Sequence, residues 1–186
     1  MATTLETLAL VAEDHHGVIP AAAARAAGVS AATLVKLAAR GRLERVARGV
    51  YRLPTFPHSL ARHAQLHEAL AFLTAGQGPR AAISHESALE VWGLSDASSA
   101  QVHVTIPATV RLRRDVPRWI KLHKAPLPER DIDESHGLRL TSVERTISDV
   151  LQSGRHDLAL RAANDAVRSG ALTKRRSRNL MREVRP

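Results

Sequence analysis

The spacing of apolar residues near the N-terminus predicts an amphipathic helix over residues 3–14. Leu8 and Val11 recur at an interval that places both side chains on one buried face. Thr3 and Glu6 form the pattern of a capping box, in which side chains and backbone N–H groups at the helix start satisfy each other. We expect this helix to pack behind the segment that follows it.

The next part of the chain, residues 19–53, has the order of elements that is typical of a winged helix-turn-helix. A short helix is predicted over 21–27, and Gly28 can adopt the left-handed backbone that ends a helix. Ser30 is a favourable N-cap for a second helix over 31–40. The two helices and the turn between them are followed by two short strands.

The helix over 31–40 is predicted to have one apolar face and one polar, basic face. In a helix-turn-helix the second helix enters the major groove of DNA, so the polar face is the candidate reading surface. The apolar positions are Leu34, Val35 and Ala38. The polar positions are Thr33, Lys36 and Arg40.

A basic β-hairpin is predicted next, with strands at 43–47 and 50–53 and Arg48-Gly49 as the turn. Between residues 25 and 52, seven basic residues stand against one acid, Glu44. These features together predict binding to double-stranded DNA, and a small helical domain with a solvated basic face is the alternative. The candidate DNA-binding residues are Ser30, Thr33, Lys36, Arg40, Arg42, Arg45, Arg48 and Arg52.

A proline-rich break at 54–57 (PTFP) predicts a boundary between a winged domain at 1–54 and a second domain at 58–186. Helices and strands are interspersed in the second domain, which predicts a mixed α/β domain with a small sheet, and an α+β fold overall. Its predicted helices are 60–75, 85–92, 142–154, 157–168 and 174–184, and its predicted strands are 81–83, 101–107, 118–124 and 138–140.

Three further predictions concern particular residues of the second domain. The alternation in 101–107 (QVHVTIP) predicts that the valines face the core while His103 and Thr105 face outward. Thr141 and Glu144 are predicted to form a second capping box. A solvated loop is predicted to hold the acids Asp131, Asp133 and Glu134.

Bulk composition favours a polyanionic partner. The 186 residues carry a formal charge of +9 and the pI is near 11.2. An acidic lipid surface is the weaker alternative, because no basic amphipathic helix or lipidation motif begins the chain. Cysteine is absent, which excludes disulfides and thiolate metal sites and fits the cytoplasm. No signal peptide is expected, and no apolar run reaches the roughly 18 residues that span a bilayer.

Two further segments are strongly basic. Residues 111–124 carry six basic residues and one acid, and this patch is predicted to contact either DNA or an acidic protein surface. Residues 168–185 carry seven basic residues and one acid, on either a solvated terminal helix or a second contact surface. The candidate residues of this second basic surface are Arg111, Arg113, Arg114, Lys174, Arg175, Arg178 and Arg182.

No catalytic or metal site is predicted. His63 and His67 are four residues apart and could present two imidazoles to zinc, but they lack the zincin order and a third ligand. The sequence has no nucleophile elbow, no P-loop and no metal-nuclease arrangement of carboxylates. We therefore expect neither enzymatic activity nor a cofactor.

Three stretches resemble the AbiEi-type antitoxins of bacterial type IV toxin–antitoxin systems. They are VSAATLVKLAARGRLERVARGVYRLP at 29–54, ISHESALEVWGL at 83–94 and GLRLTSVERTISDVL at 137–151. Each stretch alone is moderately specific, and their order and spacing together carry the resemblance.

The resemblance implies an antitoxin that represses its own operon by binding operator DNA and counteracts a nucleotidyltransferase-like toxin. The winged domain would bind the operator, as one of two copies or with help from a second basic patch, and the second domain would serve antitoxicity. Some relatives continue into a restriction-nuclease-like domain, and we expect no nuclease activity here. A stand-alone winged-helix regulator and a protein-interaction module with incidental basicity are the alternatives.

Overall fold

The structure is a computed structural model, and it describes residues 2–56, 63–74, 80–95, 99–112 and 115–183. The chain divides into an N-terminal unit, Met1–Arg80, and a C-terminal unit, Ala81–Pro186. The fold is α+β, as predicted, with eight α-helices and two small sheets in the described ranges. None of these helices combines the length and the apolar composition that a membrane crossing needs.

The N-terminal unit is a winged helix-turn-helix on a three-stranded antiparallel sheet. The central strand of that sheet, β3 (Val50–Arg52), pairs with β1 (Val18–Pro20) on one side and with β2 (Glu44–Ala47) on the other. Its core centres on Leu8, Leu34 and Tyr51, all buried. The elements are α1 (Thr4–Asp14), β1 (Val18–Pro20), α2 (Ala21–Ala26), α3 (Ala31–Ala39), β2 (Glu44–Ala47), β3 (Val50–Arg52) and α4 (Ala64–Thr74).

The signals that were predicted to begin and end these helices are confirmed. The capping box at the start of α1 is complete, with Thr3 and Glu6 each accepting a backbone N–H of the other. Gly28 has a φ of 87°, in the left-handed region that favours glycine. The hydroxyl of Ser30 accepts the backbone N–H of Thr33 and caps α3.

Strand β1 was not predicted. Its three residues end in Pro20, and so short a segment before a helix reads as a loop. The strand forms because β3, much later in the chain, offers it a free edge, with Ile19 opposite Tyr51. A nonlocal partner of this kind leaves no pattern in the local sequence.

Helix α4 belongs to the N-terminal unit, whereas the proline-rich break predicted that it would open the second domain. α4 packs against β1 and β3, with Leu66 and Phe72 buried. Residues 57–62 lie outside the described ranges, so the first part of the predicted helix 60–75 is not described. The structure therefore divides the chain after Arg80, because the turn at 54–56 interrupts secondary structure without ending the packed core.

The C-terminal unit is a five-stranded mixed sheet packed with four helices. The elements are β4 (Ala82–Ile83), α5 (His85–Val91), β5 (Val102–Ile106), β6 (Ile120–Lys124), β7 (Ile132–Ser135), β8 (Leu138–Thr141), α6 (Val143–Gln152), α7 (His156–Arg168) and α8 (Lys174–Glu183). The strand order is β6-β5-β4-β8-β7, with β5 and β6 parallel, β4 and β8 parallel, and the other two pairs antiparallel. A turn of 3₁₀ helix (Glu129–Asp131) precedes β7.

The prediction that His103 and Thr105 face outward is wrong. All five residues of β5 are buried, because β5 is an interior strand and α5 packs on the face to which these two side chains point. The backbone N–H of His103 donates to Ser87 on α5, and the Thr105 hydroxyl donates to Ser84. An alternating strand pattern normally indicates that one face of the strand is exposed to solvent. Here polar groups of α5 and its N-cap form hydrogen bonds with β5 on that face instead.

The predicted solvated loop around the acids is also wrong. Asp133 and Glu134 are exposed but lie on the edge strand β7, which forms a hairpin with β8. Asp131 is partly buried in an ion pair with Arg145. Asp133 and Glu134 have little β-propensity, so the strand is imposed by its partner β8 rather than by its own residues.

The predicted second capping box of Thr141 and Glu144 is wrong, because α6 begins one residue later and Arg145 occupies the position where a capping box needs Glu or Gln. Ser142 is the N-cap of α6 and accepts the backbone N–H of Arg145, while Thr141 is the last residue of β8. The Thr141 carbonyl accepts the Trp92 indole N–H and the Thr146 hydroxyl. Thr141 therefore joins the end of the sheet to α6 and to the end of α5.

Arg145 links α6 to the chain before β7. Its guanidinium donates to Asp149 and to Asp131, both at 2.7 Å, and to the carbonyl of Pro126 at 3.0 Å. Burial alone would lower the pKa of Arg145, but the hydrogen bonds and charges of Asp149 and Asp131 outweigh it and raise that pKa. Burial raises the pKa of Asp149, whose second carboxylate oxygen has no hydrogen bond among the described residues.

We expect Arg145→Leu to lower the free energy of unfolding of the C-terminal unit by about 3 kcal/mol, because it leaves Asp149 buried without its cation. Both tryptophans of the chain, Trp92 and Trp119, lie in this unit, so urea unfolding followed by tryptophan fluorescence reports on it selectively. The matched control is Arg168→Leu, which breaks an exposed pair with Asp165 and should cost less than about 0.5 kcal/mol. Equal losses in the two variants would contradict this role for Arg145.

Candidate nucleic-acid interface

The exposed face of α3 carries the side chains that a recognition helix would present to DNA. Lys36 and Arg40 are both exposed, as predicted for the polar face. Thr33 is partly buried, and its hydroxyl lies 2.9 Å from the hydroxyl of Ser30. The two hydroxyl groups therefore belong to the cap at the start of α3. Lys36 and Arg40 lie further along the helix, and their exposed side chains are available to DNA.

Val35 was predicted to lie on the buried face of α3, and that prediction is wrong, since its side chain is 53% exposed. Leu34, Leu37 and Ala38 take the inward positions at helical spacing, which turns Val35 outward beside Lys36. The outward face therefore combines a branched apolar side chain with a cation. Apolar side chains can contact the methyl group of thymine in the major groove.

The wing places two more cations in solvent. β2 and β3 form the predicted hairpin, and Arg48 with Gly49 makes the turn between them. Gly49 has a φ of 79°, a conformation that a side chain would strain. Arg45 on β2 and Arg48 at the tip are exposed, as is Arg42 before β2.

Arg52 differs from the other cations of the wing because it already has two acidic partners. It lies directly opposite Glu44, with Nε 2.5 Å from that carboxylate, and its Nη1 is 3.4 Å from Glu68 on α4. The pKa of Arg52 is raised above its usual value, chiefly by the hydrogen bond to Glu44. Its charge is largely compensated inside the N-terminal unit.

The other five candidate DNA-binding cations are not compensated in this way. Each of them is exposed, and none forms an ion pair within the described part of the N-terminal unit. They are Lys36, Arg40, Arg42, Arg45 and Arg48. These five side chains make up the candidate nucleic-acid interface, together with the Ser30 cap at the start of α3.

The predicted second basic surface is partly visible in the C-terminal unit. Arg111 is exposed, and Arg113 and Arg114 lie outside the described residues. α8 begins after Thr173, whose hydroxyl accepts the backbone N–H of Arg176, and Arg176 pairs with Glu144 at 3.3 Å. The exposed cations of α8 that were predicted to form this surface are Lys174, Arg175, Arg178 and Arg182.

A cluster of three histidines in the C-terminal unit was not predicted. His85 at the start of α5, His103 on β5 and His123 on β6 each place a ring nitrogen within 4.8 Å of the others. The rings of His85 and His123 are stacked, with centroids 3.7 Å apart. Nδ1 of His103 lies 2.9 Å from a carboxylate oxygen of Glu86.

The surroundings of this cluster keep two imidazoles neutral at pH 7. Burial, assisted by the neighbouring His123 and His103, lowers the pKa of His85 to about 3. Burial, assisted by His103, lowers the pKa of His123 to about 4. The close approach of His103 lowers the pKa of Glu86 to about 2, so this carboxylate is ionised.

The sequence carried no signal for this cluster. The three residues are 18 and 20 positions apart, and no short motif joins them. The sequence instead drew attention to His63 and His67, but α4 begins at Ala64, after His63, and His67 stacks on His16 with ring centroids 4.3 Å apart.

Two comparisons with known proteins bear on this chain. Residues 6–54 match the family described as "Transcriptional regulator, AbiEi antitoxin". The structure is similar to the crystal structure of the RV2827C protein from Mycobacterium tuberculosis, with a TM-score of 0.58 and 14% sequence identity. That match covers 96% of this chain and 70% of the other, and at this identity it shows a shared fold.

A comparison with curated protein sequences gives no significant match. The family match covers α1 from Glu6 onward, the helix-turn-helix and the wing, and it ends at Pro54, before α4. The predicted resemblance to the AbiEi-type antitoxins, a family of transcriptional regulators, is thus confirmed on residues 6–54, the segment that carries the candidate nucleic-acid interface.

Proposed function

We propose that this protein is a DNA-binding antitoxin that represses its own operon and counteracts a nucleotidyltransferase-like toxin. The observation that carries the proposal is the uncompensated basic surface of a winged helix-turn-helix, in the segment that matches the AbiEi antitoxin regulators. DNA offers the regular row of negative charges that such a surface complements.

Helix α3 reads bases in this proposal. Lys36 and Arg40 enter the major groove, where a basic side chain can donate to O6 and N7 of guanine. Val35 lies beside them and supplies an apolar contact. The start of α3, capped by Ser30, faces a phosphate, since the N-terminal end of a helix favours negative charge.

The wing holds the DNA backbone. Arg45 and Arg48 are the exposed cations of the hairpin and contact phosphates or the minor groove, and Arg42 adds a further phosphate contact. Arg52 instead secures β3 to β2 and α4 through its two carboxylates. Arg52 therefore contributes to DNA binding by fixing the position of the wing.

One winged helix contacts only a few base pairs, so repression of a specific operator needs more surface. Two copies on an inverted repeat supply it most simply, because the two-fold symmetry of a dimer matches that of a palindromic site. The exposed cations of α8 and Arg111 are the alternative source of extra contacts.

A stand-alone regulator is the second candidate function. The family match supports it because the match is confined to residues 6–54, the part that binds DNA in the proposal, and leaves the C-terminal unit unmatched. In the antitoxin proposal that C-terminal unit counteracts the toxin. The two candidates differ in whether the gene has a toxin as its neighbour and whether this chain suppresses that toxin.

Affinity for the DNA upstream of the chain's own gene should fall steeply with salt. About six phosphate contacts give a slope near −5 in a plot of log affinity against log salt, measurable by fluorescence anisotropy. Arg48→Ala should weaken all sequences alike and reduce the slope by about 1. The control Arg161→Ala removes the same charge from an exposed site on α7, outside the three basic segments, and should change neither quantity. A slope near zero would contradict the proposal.

Substitution in α3 should also reduce sequence preference. Lys36→Ala or Arg40→Ala should lower the ratio of affinities for operator and scrambled duplex about tenfold, the value of one lost base contact. Arg45→Ala is the matched control and should weaken both duplexes equally. If the α3 variants also weaken both duplexes equally, these residues contact phosphates and not bases.

Repression and antitoxicity should be separable in the full chain. A Lys36→Ala, Arg40→Ala, Arg48→Ala triple variant should release a promoter reporter from repression yet still restore growth when the neighbouring gene's product is expressed. Growth rescue by the wild type but not by the triple variant would place antitoxicity on the DNA-binding surface. Repression without rescue by the wild type would favour the stand-alone regulator.

A further inference from the structure

We propose that His85, His103 and His123 form a binding site for one divalent transition-metal ion of the zinc class. The site lies in the C-terminal unit and is independent of the proposed DNA binding. Among the described residues, these three are the one group of potential metal ligands that the structure brings together.

The spacing of the ring nitrogens fits a tetrahedral ion. Zinc binds histidine nitrogen at about 2.0–2.1 Å, which places two ligand nitrogens of a tetrahedral site about 3.4 Å apart. Nε2 of His123 and Nδ1 of His103 are already 3.3 Å apart, and one nitrogen of His85 lies within 4.8 Å of theirs. Small side-chain rotations therefore complete the set.

The three ligands are held by different elements of the fold. His103 and His123 lie on neighbouring parallel strands, two residues apart in register, so that both side chains point to the face that α5 covers. His85 begins α5, and its φ of 51° is uncommon for a residue with a side chain. The strained backbone is held between a buried strand and a helix, and it directs the imidazole toward the other two.

The ring of His85 has a neighbour that can orient it. The hydroxyl of Ser84 lies 3.0 Å from Nδ1 of His85, within hydrogen-bonding distance. Hydrogen bonds of this kind fix which nitrogen of a histidine faces the metal ion.

Glu86 supplies the negative charge beside the site. Its Oε2 lies 2.9 Å from Nδ1 of His103 but has no well-aligned hydrogen bond among the described residues, and this oxygen is buried. Its other oxygen is 3.3 Å from Arg155. Because Oε2 of Glu86 approaches the same nitrogen of His103 that faces His123, Glu86 lies beside the ion and can take the fourth coordination position in place of water.

His123 is the ligand that must move most. The ring of His123 is stacked on that of His85, with an angle of 16° between the ring planes. Two histidines that bind one ion must instead turn their ring nitrogens toward it. β6 is an edge strand and His123 is only partly buried, so this ring has room to turn. The same exposed side gives the ion access and leaves a coordination position for water.

The test is titration of the tag-free, full-length protein with Zn²⁺ after chelator treatment, followed by calorimetry and thermal unfolding. We expect one equivalent to bind with sub-micromolar affinity and to raise the melting temperature, and we expect Co²⁺ to give the visible absorption of a tetrahedral site. His123→Gln should weaken binding at least about 100-fold, because loss of a ligand costs more than loss of an outer-shell partner, which already costs about 10–100-fold.

Two further variants keep the test decisive. His85→Asn tolerates the left-handed backbone and should also abolish binding, with tryptophan fluorescence confirming that the metal-free protein is folded. His16→Asn is the matched control, because it removes an exposed, stacked histidine with a φ of 54° from the other unit, and it should bind Zn²⁺ like the wild type. Wild-type affinity no greater than that of His123→Gln, or absence of a tetrahedral Co²⁺ spectrum, would overturn the proposal.

Discussion

The pairing of β4 with β8 at the centre of the five-stranded sheet is the interaction on which the C-terminal unit depends. β4 is only two residues long, and its parallel register with β8 is the single pair of Ile83 and Leu140. Polar contacts of Thr141 reinforce it, since its hydroxyl reaches the Ile83 carbonyl and its own carbonyl accepts the indole of Trp92. Because the strands are parallel, both end at the same edge of the sheet, and each is followed there by a serine and a helix.

Local signals in the sequence predicted most of the helices, whereas features made by distant partners were missed. Capping at Thr3 and Ser30 depends on residues three positions away, and it was predicted correctly. The strands β1 and β7 form only because β3 and β8 offer them an edge, and neither had a local pattern. The outward prediction for His103 failed for the same reason, because the helix that covers it is defined elsewhere in the sequence.

Prediction of the candidate site was limited in a related way, because a sequence gives the number of charges but not which charges are paired. The seven basic residues between 25 and 52 look equivalent in the sequence, yet Arg52 is held by Glu44 and by Glu68, which lies beyond the counted segment. Val35 was misplaced because Leu37 and Ala38 compete for the inward positions of α3. The histidine cluster forms only where α5, β5 and β6 come together, and the spacing of the three residues in the sequence does not reveal it.

The attachment of α4 to the winged sheet has a consequence for how this protein can be divided. The segment that matches the family ends at Pro54, but the compact N-terminal unit extends to Arg80, because α4 buries part of β1 and β3 and supplies Glu68 to Arg52. The stretch of sequence similarity is therefore shorter than the compact unit that contains it. A fragment cut at the family boundary would carry every side chain of the candidate nucleic-acid interface on a sheet stripped of one of its supporting layers.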